Sequence, residues 1–432
     1  MVKYFIHNHP KELIRRLAKE KTLIHGSLYS LFSFFGRGVT FVLLIILAKY
    51  IQPVEYGLLS LFSTVVTFLT YFMAFSCNGY IGISYFKNER QDFSKDFSII
   101  LQLGLFSLLC YILIVLVGGA WLAEKLELTI PLLWVAIFIP FVDMLYHAYQ
   151  NFYRIKEKIV PYGIISCSYA ILNFSLSILL VVTFRQGWIG RIETQIACSL
   201  LFASLGVVYF LRHHYVVMSF SWERTKRILM WGIPMIPHMG AIWIRRGLDQ
   251  YIINYNYSVY EVGLFSFALN VAGVIIMIGS AFNDSNSVTI YKTLSDKNLT
   301  NAQKQQSLNK QTKNIYIIII AATFFLLLFI PSIIYWGMPK YIPAIPYFLI
   351  LSVYGFIQCV YFLYCNYLFY YGKTNNLMKI TFGTSIVHLV LSLLLTPYSL
   401  YFTGIIYILI QSLLVGLVYW QSQKLIKNHL KI

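Results

Sequence analysis

Charged side chains are scarce in this chain of 432 residues. Asp, Glu, Lys and Arg together make up 12% of it, whereas hydrophobic residues make up 58% and aromatic residues 17%. A soluble protein of this length needs far more charge to cover its surface. The composition therefore excludes an ordinary soluble domain and favours a chain surrounded by lipid.

Acidic residues are scarcer than basic residues. The chain has 16 Asp and Glu against 34 Lys and Arg, which gives a net charge of +18. Such an excess would suggest nucleic-acid binding in a soluble protein. In a membrane protein, basic residues instead collect in the cytoplasmic loops and set the topology. We therefore expect no nucleic-acid partner.

Cysteine is also scarce, and no motif of known catalytic chemistry is present. The six cysteines lie within apolar segments and lack the spacing of a zinc site or a disulfide framework, so we expect them to be reduced. The chain contains no Walker loop, no HExxH helix and no GxSxG elbow. The sequence therefore predicts a transporter rather than an enzyme, with no metal and no bound cofactor.

The first 22 residues carry charge throughout and lack the compact apolar core of a cleavable signal peptide. A helix from Pro10 to Lys21 would place Leu13, Ile14 and Leu17 on one side, as expected for a helix on an anionic membrane leaflet. A solvated basic tail is an equally good interpretation. We treat residues 1–22 as a basic cytoplasmic segment.

Apolar runs near twenty residues recur along the chain and predict an all-α polytopic membrane protein with twelve transmembrane helices. The predicted spans are 24–50, 56–84, 97–120, 130–152, 161–183, 188–211, 229–254, 260–283, 314–336, 342–371, 377–396 and 401–421. With the N-terminus inside, the inner segments hold 26 Lys and Arg, the outer loops and their edges 5, and the spans 3. This bias predicts that both termini are cytoplasmic.

The two halves of the chain resemble each other. Residues 54–60, entering the second span, match residues 260–266, entering the eighth, at an offset of 206, and later matches share an offset of 215. Six spans per half is an even number, so the repeats would have the same orientation and relate by an axis along the membrane normal. We predict two six-helix bundles, in residues 23–220 and 221–422, with a cytoplasmic tail at 423–432.

Three arginines lie inside predicted spans, where a charge costs about 2.5–3.5 kcal/mol on insertion scales. Arg37 is in the first span, and Arg245 and Arg246 share the seventh with Asp249. Guanidinium stays protonated and matches phosphate oxygens, so these residues could line a cavity for an anionic substrate. The alternative is internal pairing, for instance of Asp249 with an arginine three or four residues earlier. Pro234, at the start of this span, predicts a bend.

Other intramembrane ionisable residues are candidates for ion coupling. Asp143 and His147 lie one turn apart on the fourth span, where they could relay protons or simply bond each other. Asp284 ends the eighth span in a polar patch, facing either the cleft or the inner membrane edge. His388 on the eleventh span fits a helix-to-helix hydrogen bond better than a functional role.

Two stretches resemble the bacterial polysaccharide-export flippases. They are LAKYIQPVEYGLLS at residues 47–60, and the seventh span with Gly232-Ile233-Pro234 followed by RGLDQYII at residues 246–253. The chain thus resembles the Wzx-type flippases for O-antigen or capsule repeat units, within the multidrug/oligosaccharidyl-lipid/polysaccharide exporter superfamily. It departs from that pattern by two adjacent arginines, which point about 100° apart on a helix, so that both cannot face one cavity.

The resemblance implies a MATE-like fold whose two lobes open a central cavity alternately to each side of the bacterial inner membrane. It implies translocation of a polyprenyl-pyrophosphate-linked oligosaccharide to the periplasmic leaflet, driven by a proton or sodium gradient or the membrane potential, alongside polysaccharide polymerase machinery. Two alternatives stay open: an antiporter of the same fold for another anion or a drug, and an integral-membrane glycan polymerase. The short outer loops argue against the polymerase.

Overall fold

The computed structural model describes residues 31–430, apart from residues 33, 34, 37, 44 and 218 and the side chains of residues 284, 285 and 430. Within that part of the chain it is helical, without β-strands. The helices are α1 (Gly38–Tyr50), α2 (Pro53–Phe72), α3 (Tyr80–Lys87), α4 (Arg90–Leu126), α5 (Ile130–Ile155), α6 (Ile159–Ser177), α7 (Gly187–Arg212), α8 (Trp222–Gly232), α9 (Met235–Trp243), α10 (Asp249–Asn256), α11 (Val259–Ser295), α12 (Asn301–Gly337), α13 (Ile345–Tyr370), α14 (Thr374–Leu395) and α15 (Leu400–Leu430).

The helices follow the predicted spans and confirm the all-α polytopic fold. Ten helical segments among the described residues are long and apolar enough to cross a bilayer. The first predicted span overlaps α1 and residues outside the described part, and the seventh is divided among α8, α9 and α10. Large apolar side chains such as Val117 and Trp336 point outward, as expected for surfaces that contact lipid.

Helices α2 and α11, which start at matched positions of the two repeats, both have a capping contact between residues three apart. The backbone N–H of Gln52, just before α2, donates to Glu55 Oε2 at 2.9 Å. At the start of α11, the backbone N–H of Glu261 donates to Ser258 Oγ at 3.3 Å. These N-terminal contacts satisfy donors that a helix start leaves without partners. The equivalent positions are 206 residues apart, so the sequence repeat is also a repeat of helix starts.

The two repeat helices also meet each other. A Cβ atom on Gly263 of α11 would lie 1.8 Å from the carbonyl oxygen of Pro53, and one on Gly57 of α2 would lie 2.1 Å from the carbonyl oxygen of Val259. Only glycine permits backbones this close. The EYG and EVG motifs therefore form a crossing between the two halves of the molecule.

The second and seventh spans are not continuous α-helices. Ala74, Phe75 and Ser76 adopt left-handed backbone angles and break the second span between α2 and α3, which the sequence analysis did not anticipate. In the seventh span the α-helix is interrupted where the bend is predicted, since α8 ends at Gly232 and α9 begins at Met235. Beyond α9, residues 244–248 form a π-helical segment. Such segments often mark functional sites.

Helix α8 packs against helices of the N-terminal half. Ile228 is fully buried in a cluster with Phe93, Phe97 and Phe210. Arg224 donates to Asp92 Oδ1 at 2.7 Å and to Asp96 Oδ1 at 3.2 Å at the beginning of α4. The predicted lobe limits at residues 220 and 422 stay predictions. Helix α8, which begins the second predicted lobe, packs against the first.

Candidate functional site

A cavity of about 380 Å³ lies between helices of the two halves of the molecule. Helices α2 and α7 form one side, and the seventh span with α11 forms the other. The lining residues are Tyr56, Leu59, Ser60, Ser63, Thr64, Thr67, Tyr71, Arg191, Gln195, Ile242, Trp243, Arg246, Gly247, Gln250, Ser266, Leu269 and Asn270. This lining contains two arginines and no carboxylate, so the cavity attracts anions.

Arg246 enters the cavity from the π-helical segment. Its side chain is accessible to water although protein surrounds it, as expected for the wall of a hydrated cavity. Its Nη2 donates to Tyr354 OH at 3.4 Å, and no carboxylate within the described residues forms an ion pair with it. A Cβ on neighbouring Gly247 would lie 2.6 Å from Trp243 Nε1 and 2.8 Å from Thr64 Cγ2. The glycine thus lets this segment lie directly against α2.

Arg245 has a different orientation. It is absent from the cavity lining. Tyr354 and Tyr407 are close enough to act on the charge of both arginines, whereas Tyr361 acts on Arg245 and the cavity residue Tyr71 acts on Arg246. Of the two adjacent arginines, Arg246 is therefore the one that faces the cavity.

Arg191 contributes the second guanidinium, from the N-terminal half. It lies in the first turns of α7, and its Nη1 is buried without a hydrogen-bond partner among the described residues. Tyr56 and Tyr169 are close enough to act on its charge. A buried donor without a partner costs free energy unless water or a ligand satisfies it. Arg191 is therefore available to an anion that enters the cavity.

Hydrogen bonds across the cavity connect the seventh span and α11 to α2. Gln250 Oε1 accepts from Thr64 Oγ1 at 2.7 Å and from Ser60 Oγ at 3.0 Å. Asn270 Nδ2 donates to Tyr56 OH at 2.9 Å. Because these groups come from both halves, a relative movement of the halves would break the bonds and release hydroxyl and amide groups to a substrate.

Asp249 does not line the cavity. It is 1% exposed and accepts from His388 Nε2, or shares a proton with it, at 2.7 Å, and His388 is also 1% exposed. Neither Arg245 nor Arg246 forms an ion pair with it. The expected neutralisation of the arginines by direct pairing with Asp249 is therefore not what the structure contains, because the π-helical segment changes which residues share a helix face.

Asp143 and His147 both line a second cavity of about 280 Å³ in the N-terminal half. Asp143 Oδ1 accepts from Ser199 Oγ at 2.5 Å. His147 also lines a neighbouring cavity of about 510 Å³. The structure thus brings these two candidates to one hydrated region, away from the Arg246 cavity. Two further candidate site residues cannot be placed: Arg37 and the side chain of Asp284 lie outside the described part of the chain.

Arg191 is not among the site residues predicted from the sequence, because its position near a span end places it with the outer loop edges. Its position inside the apolar run of the sixth predicted span was a usable signal. The helix-to-helix hydrogen bond expected of His388 is confirmed, although nothing in the sequence identifies its partner Asp249, which is 139 residues away. All six cysteines are free, as expected.

Comparison with known proteins agrees with this architecture. Residues 25–288 match the model of a family described as polysaccharide biosynthesis protein. A protein of the Lsg locus of Haemophilus influenzae is 23% identical over 417 residues, covering 90% of this chain and 95% of that protein.

Solved structures of transporters share the fold. An inward-facing multidrug resistance MATE family transporter of the MOP superfamily aligns with a TM-score of 0.72 and 15% identity, covering 91% of this chain and 96% of that one. An outward-facing structure of such a transporter aligns with a TM-score of 0.61 and 15% identity, covering 94% and 96%. The chain is thus a multi-pass membrane protein with the MATE transporter fold, and it belongs to the polysaccharide biosynthesis protein family.

Proposed function

We propose that this protein translocates a polyprenyl-pyrophosphate-linked oligosaccharide from the cytoplasmic to the periplasmic leaflet of a bacterial inner membrane. The observation that carries the proposal is the cavity between the two halves, with Arg191 on one side and Arg246 on the other. Two guanidinium groups without carboxylate partners suit a diphosphate. The family description supports a substrate in polysaccharide synthesis.

The remaining lining suits the sugar part of such a substrate. Hydroxyl and amide side chains offer donors and acceptors, and Trp243 and Tyr71 offer aromatic faces. A volume of about 380 Å³ is within the range of small-ligand sites and suits a head group rather than a polyprenyl chain. The tail would stay in lipid while the cavity replaces the water around the head group, whose polar groups each cost several kcal/mol in hydrocarbon.

Transport would proceed by alternating access, with the two halves rocking about the cavity. The bent seventh span would move most, because it carries Arg246 and is interrupted between Gly232 and Met235. A proton or sodium gradient, with Asp143 and His147 as candidate ion-coupling residues, would supply energy. A seventh span that stays rigid from residue 231 to residue 240 throughout transport would contradict this account.

The cellular setting follows from the charge bias and is part of the proposal. Both termini would be cytoplasmic, since 26 of the Lys and Arg residues lie in the segments assigned to the inside. The substrate would come from the cytoplasmic glycosylation machinery and pass to a polysaccharide polymerase in the periplasm.

The test is the leaflet location of the lipid-linked glycan in cells that lack this protein. We expect the glycan lipid to accumulate on the cytoplasmic side and wild type to release it. Arg191→Ala and Arg246→Ala should each fail to do so. Arg212→Ala is the matched control, because Arg212 is on the same helix as Arg191 but exposed at its end; it should act as wild type.

Two outcomes would contradict the proposal in different ways. If the glycan lipid reaches the periplasmic leaflet without the protein and only polymerisation fails, the polymerase alternative replaces the flippase. If both cavity variants transport like wild type, the cavity arginines do not bind the substrate.

A further inference from the structure

The pair formed by Asp249 and His388 is a buried ionisable site that transport of an anion does not by itself require. It joins α10 to α14 at 2.7 Å, with both side chains 1% exposed. The Tyr407 hydroxyl approaches Asp249, but neither it nor Asp249 Oδ1, the second carboxylate oxygen, forms a hydrogen bond of good geometry among the described residues. A buried carboxylate oxygen without a well-formed hydrogen bond is costly when charged. The carboxylate thus has an oxygen at which a proton can bind.

A continuous group of side chains leads from this pair to the cavity arginine. The Tyr407 ring lies edge-on to the His388 ring, with ring centroids 5.1 Å apart, and edge-on to the Tyr354 ring at 5.0 Å. Tyr354 OH accepts from Arg246 Nη2 at 3.4 Å. The Tyr407 hydroxyl is buried, forms no hydrogen bond of good geometry among the described residues, and is close enough to Asp249 and Arg246 to respond to both charges. Three helices therefore connect the pair to the anion site.

No neighbouring carboxylate compensates the pair among the described residues. The titratable and charged groups that surround it come from the seventh span, α13 and α15. They are Tyr407, which is close to both members of the pair, and beyond it Tyr354 and Arg246. The surroundings are thus cationic or neutral, and the charge on the pair depends on its own proton and on whatever occupies the cavity.

We propose that Asp249 and His388 together bind one exchangeable proton, and that anion binding at Arg246 drives uptake of that proton. A separation of 2.7 Å suits a carboxylate with either an imidazolium or a neutral imidazole, so the pair can gain or lose a proton without moving its heavy atoms. With the cavity empty, the field of the arginines favours the deprotonated pair. An anion on Arg246 cancels that field and favours the protonated pair.

The coupling is reciprocal. If an anion at Arg246 favours protonation, protonation must favour the anion by the same factor. Lower pH should therefore strengthen anion binding through this pair. The inference rests on the anion-binding role proposed above for Arg246, and the experiment separates the two.

The experiment measures binding of inorganic pyrophosphate to the full-length purified protein in lipid nanodiscs, between about pH 5 and about pH 8, where histidine titrates. The variants are His388→Gln, whose amide can replace Nε2 as a hydrogen-bond donor without titrating, and His429→Gln, an exposed control at the end of α15. The titration of pyrophosphate itself is common to all variants and cancels in the comparison. We expect the pyrophosphate dissociation constant of wild type and of His429→Gln to rise over this range about fivefold more than that of His388→Gln, a factor at the lower end of typical coupling.

A second measurement uses wild type alone, in case His388→Gln does not fold. Calorimetric titration with sulfate, which does not titrate in this range, is repeated in two buffers with different ionisation enthalpies. We expect uptake of a substantial fraction of one proton per sulfate bound. Binding without proton uptake would overturn the coupling.

The remaining outcomes are distinct. Equal pH dependence in wild type and in folded His388→Gln overturns the proton site but leaves the anion site intact. Unchanged pyrophosphate affinity in Arg246→Ala overturns the proposed anion site, whatever the pair does. Loss of affinity in Arg246→Ala together with a flatter pH profile in His388→Gln supports both.

Discussion

Two arginines provide the charge of the central cavity, and local structure places each of them. Arg246 reaches the cavity because the π-helical segment turns it towards α2, which Gly247 allows to lie close by. Arg191 reaches it from the first turns of α7, where its Nη1 has no hydrogen-bond partner among the described residues. Both side chains are therefore open to an anion. Adjacent Arg245 is absent from the cavity lining.

At this scale, Arg246→Lys tests whether the shape of the guanidinium matters as well as its charge. Lysine keeps the charge but loses the planar pair of donors. We expect the pyrophosphate dissociation constant to rise roughly tenfold or more, since a hydrogen bond to a charged group contributes about 1.5–3 kcal/mol. Equal affinity in Arg246→Lys and wild type would mean that Arg246 acts as a point charge only.

At the scale of elements, α8 connects the two halves and is anchored to the first. Asp96 is fully buried, and its Oδ2 accepts from Ser84 Oγ at 2.8 Å and from Asn88 Nδ2 at 2.9 Å. Its Oδ1 accepts from Arg224 of α8. This carboxylate thus connects α8 with α3 and α4. The seventh span is therefore anchored through α8, and its α-helix is interrupted after Gly232.

Asp96→Asn should release α8. An amide cannot accept from all these donors, and loss of charged hydrogen bonds costs about 1.5–3 kcal/mol. We expect faster amide hydrogen exchange in residues 222–232. Asp92→Asn is the matched control, because Asp92 is 45% exposed and a surface ion pair contributes only about 0–1 kcal/mol. Similar exchange rates in the two variants would contradict the anchoring role of Asp96.

At the scale of the whole molecule, the crossing of α2 and α11 closes one end of the space between the halves. Gly57 and Gly263 allow this contact, each near the start of the second span of its half. Under the proposed topology, with the N-terminus cytoplasmic, these helix starts would be periplasmic. Opening on that side would then require the two glycines to separate.

Gly263→Ala should shift the protein towards a periplasm-open state. The added Cβ would lie 1.8 Å from the carbonyl oxygen of Pro53, a backbone atom that cannot turn aside. The control is Gly273→Ala on the same helix, where a Cβ would meet nothing within 4 Å. Spin labels at the exposed positions Val54 and Tyr260, in a cysteine-free background, should be farther apart in the first variant only. Identical distance distributions would exclude this crossing as a gate.

The sequence by itself determined the class of protein, the order of the spans and the internal repeat. Long apolar runs are required of any helix that crosses a bilayer, so length and composition suffice to find them. The glycines and glutamates at the starts of α2 and α11 are local signals of the same kind. The bend after Gly232 also follows from a local rule, because proline removes a backbone donor.

Only the tertiary structure decided which ionisable residues meet. The lipid-facing and protein-facing sides of a membrane helix are both apolar, so hydropathy gives the position of a span but not its rotation. The sequence could not select Arg246 over Arg245 or bring Arg191 into the cavity. It also could not pair Asp249 with a histidine 139 residues away, since that contact depends on the packing of α10 against α14.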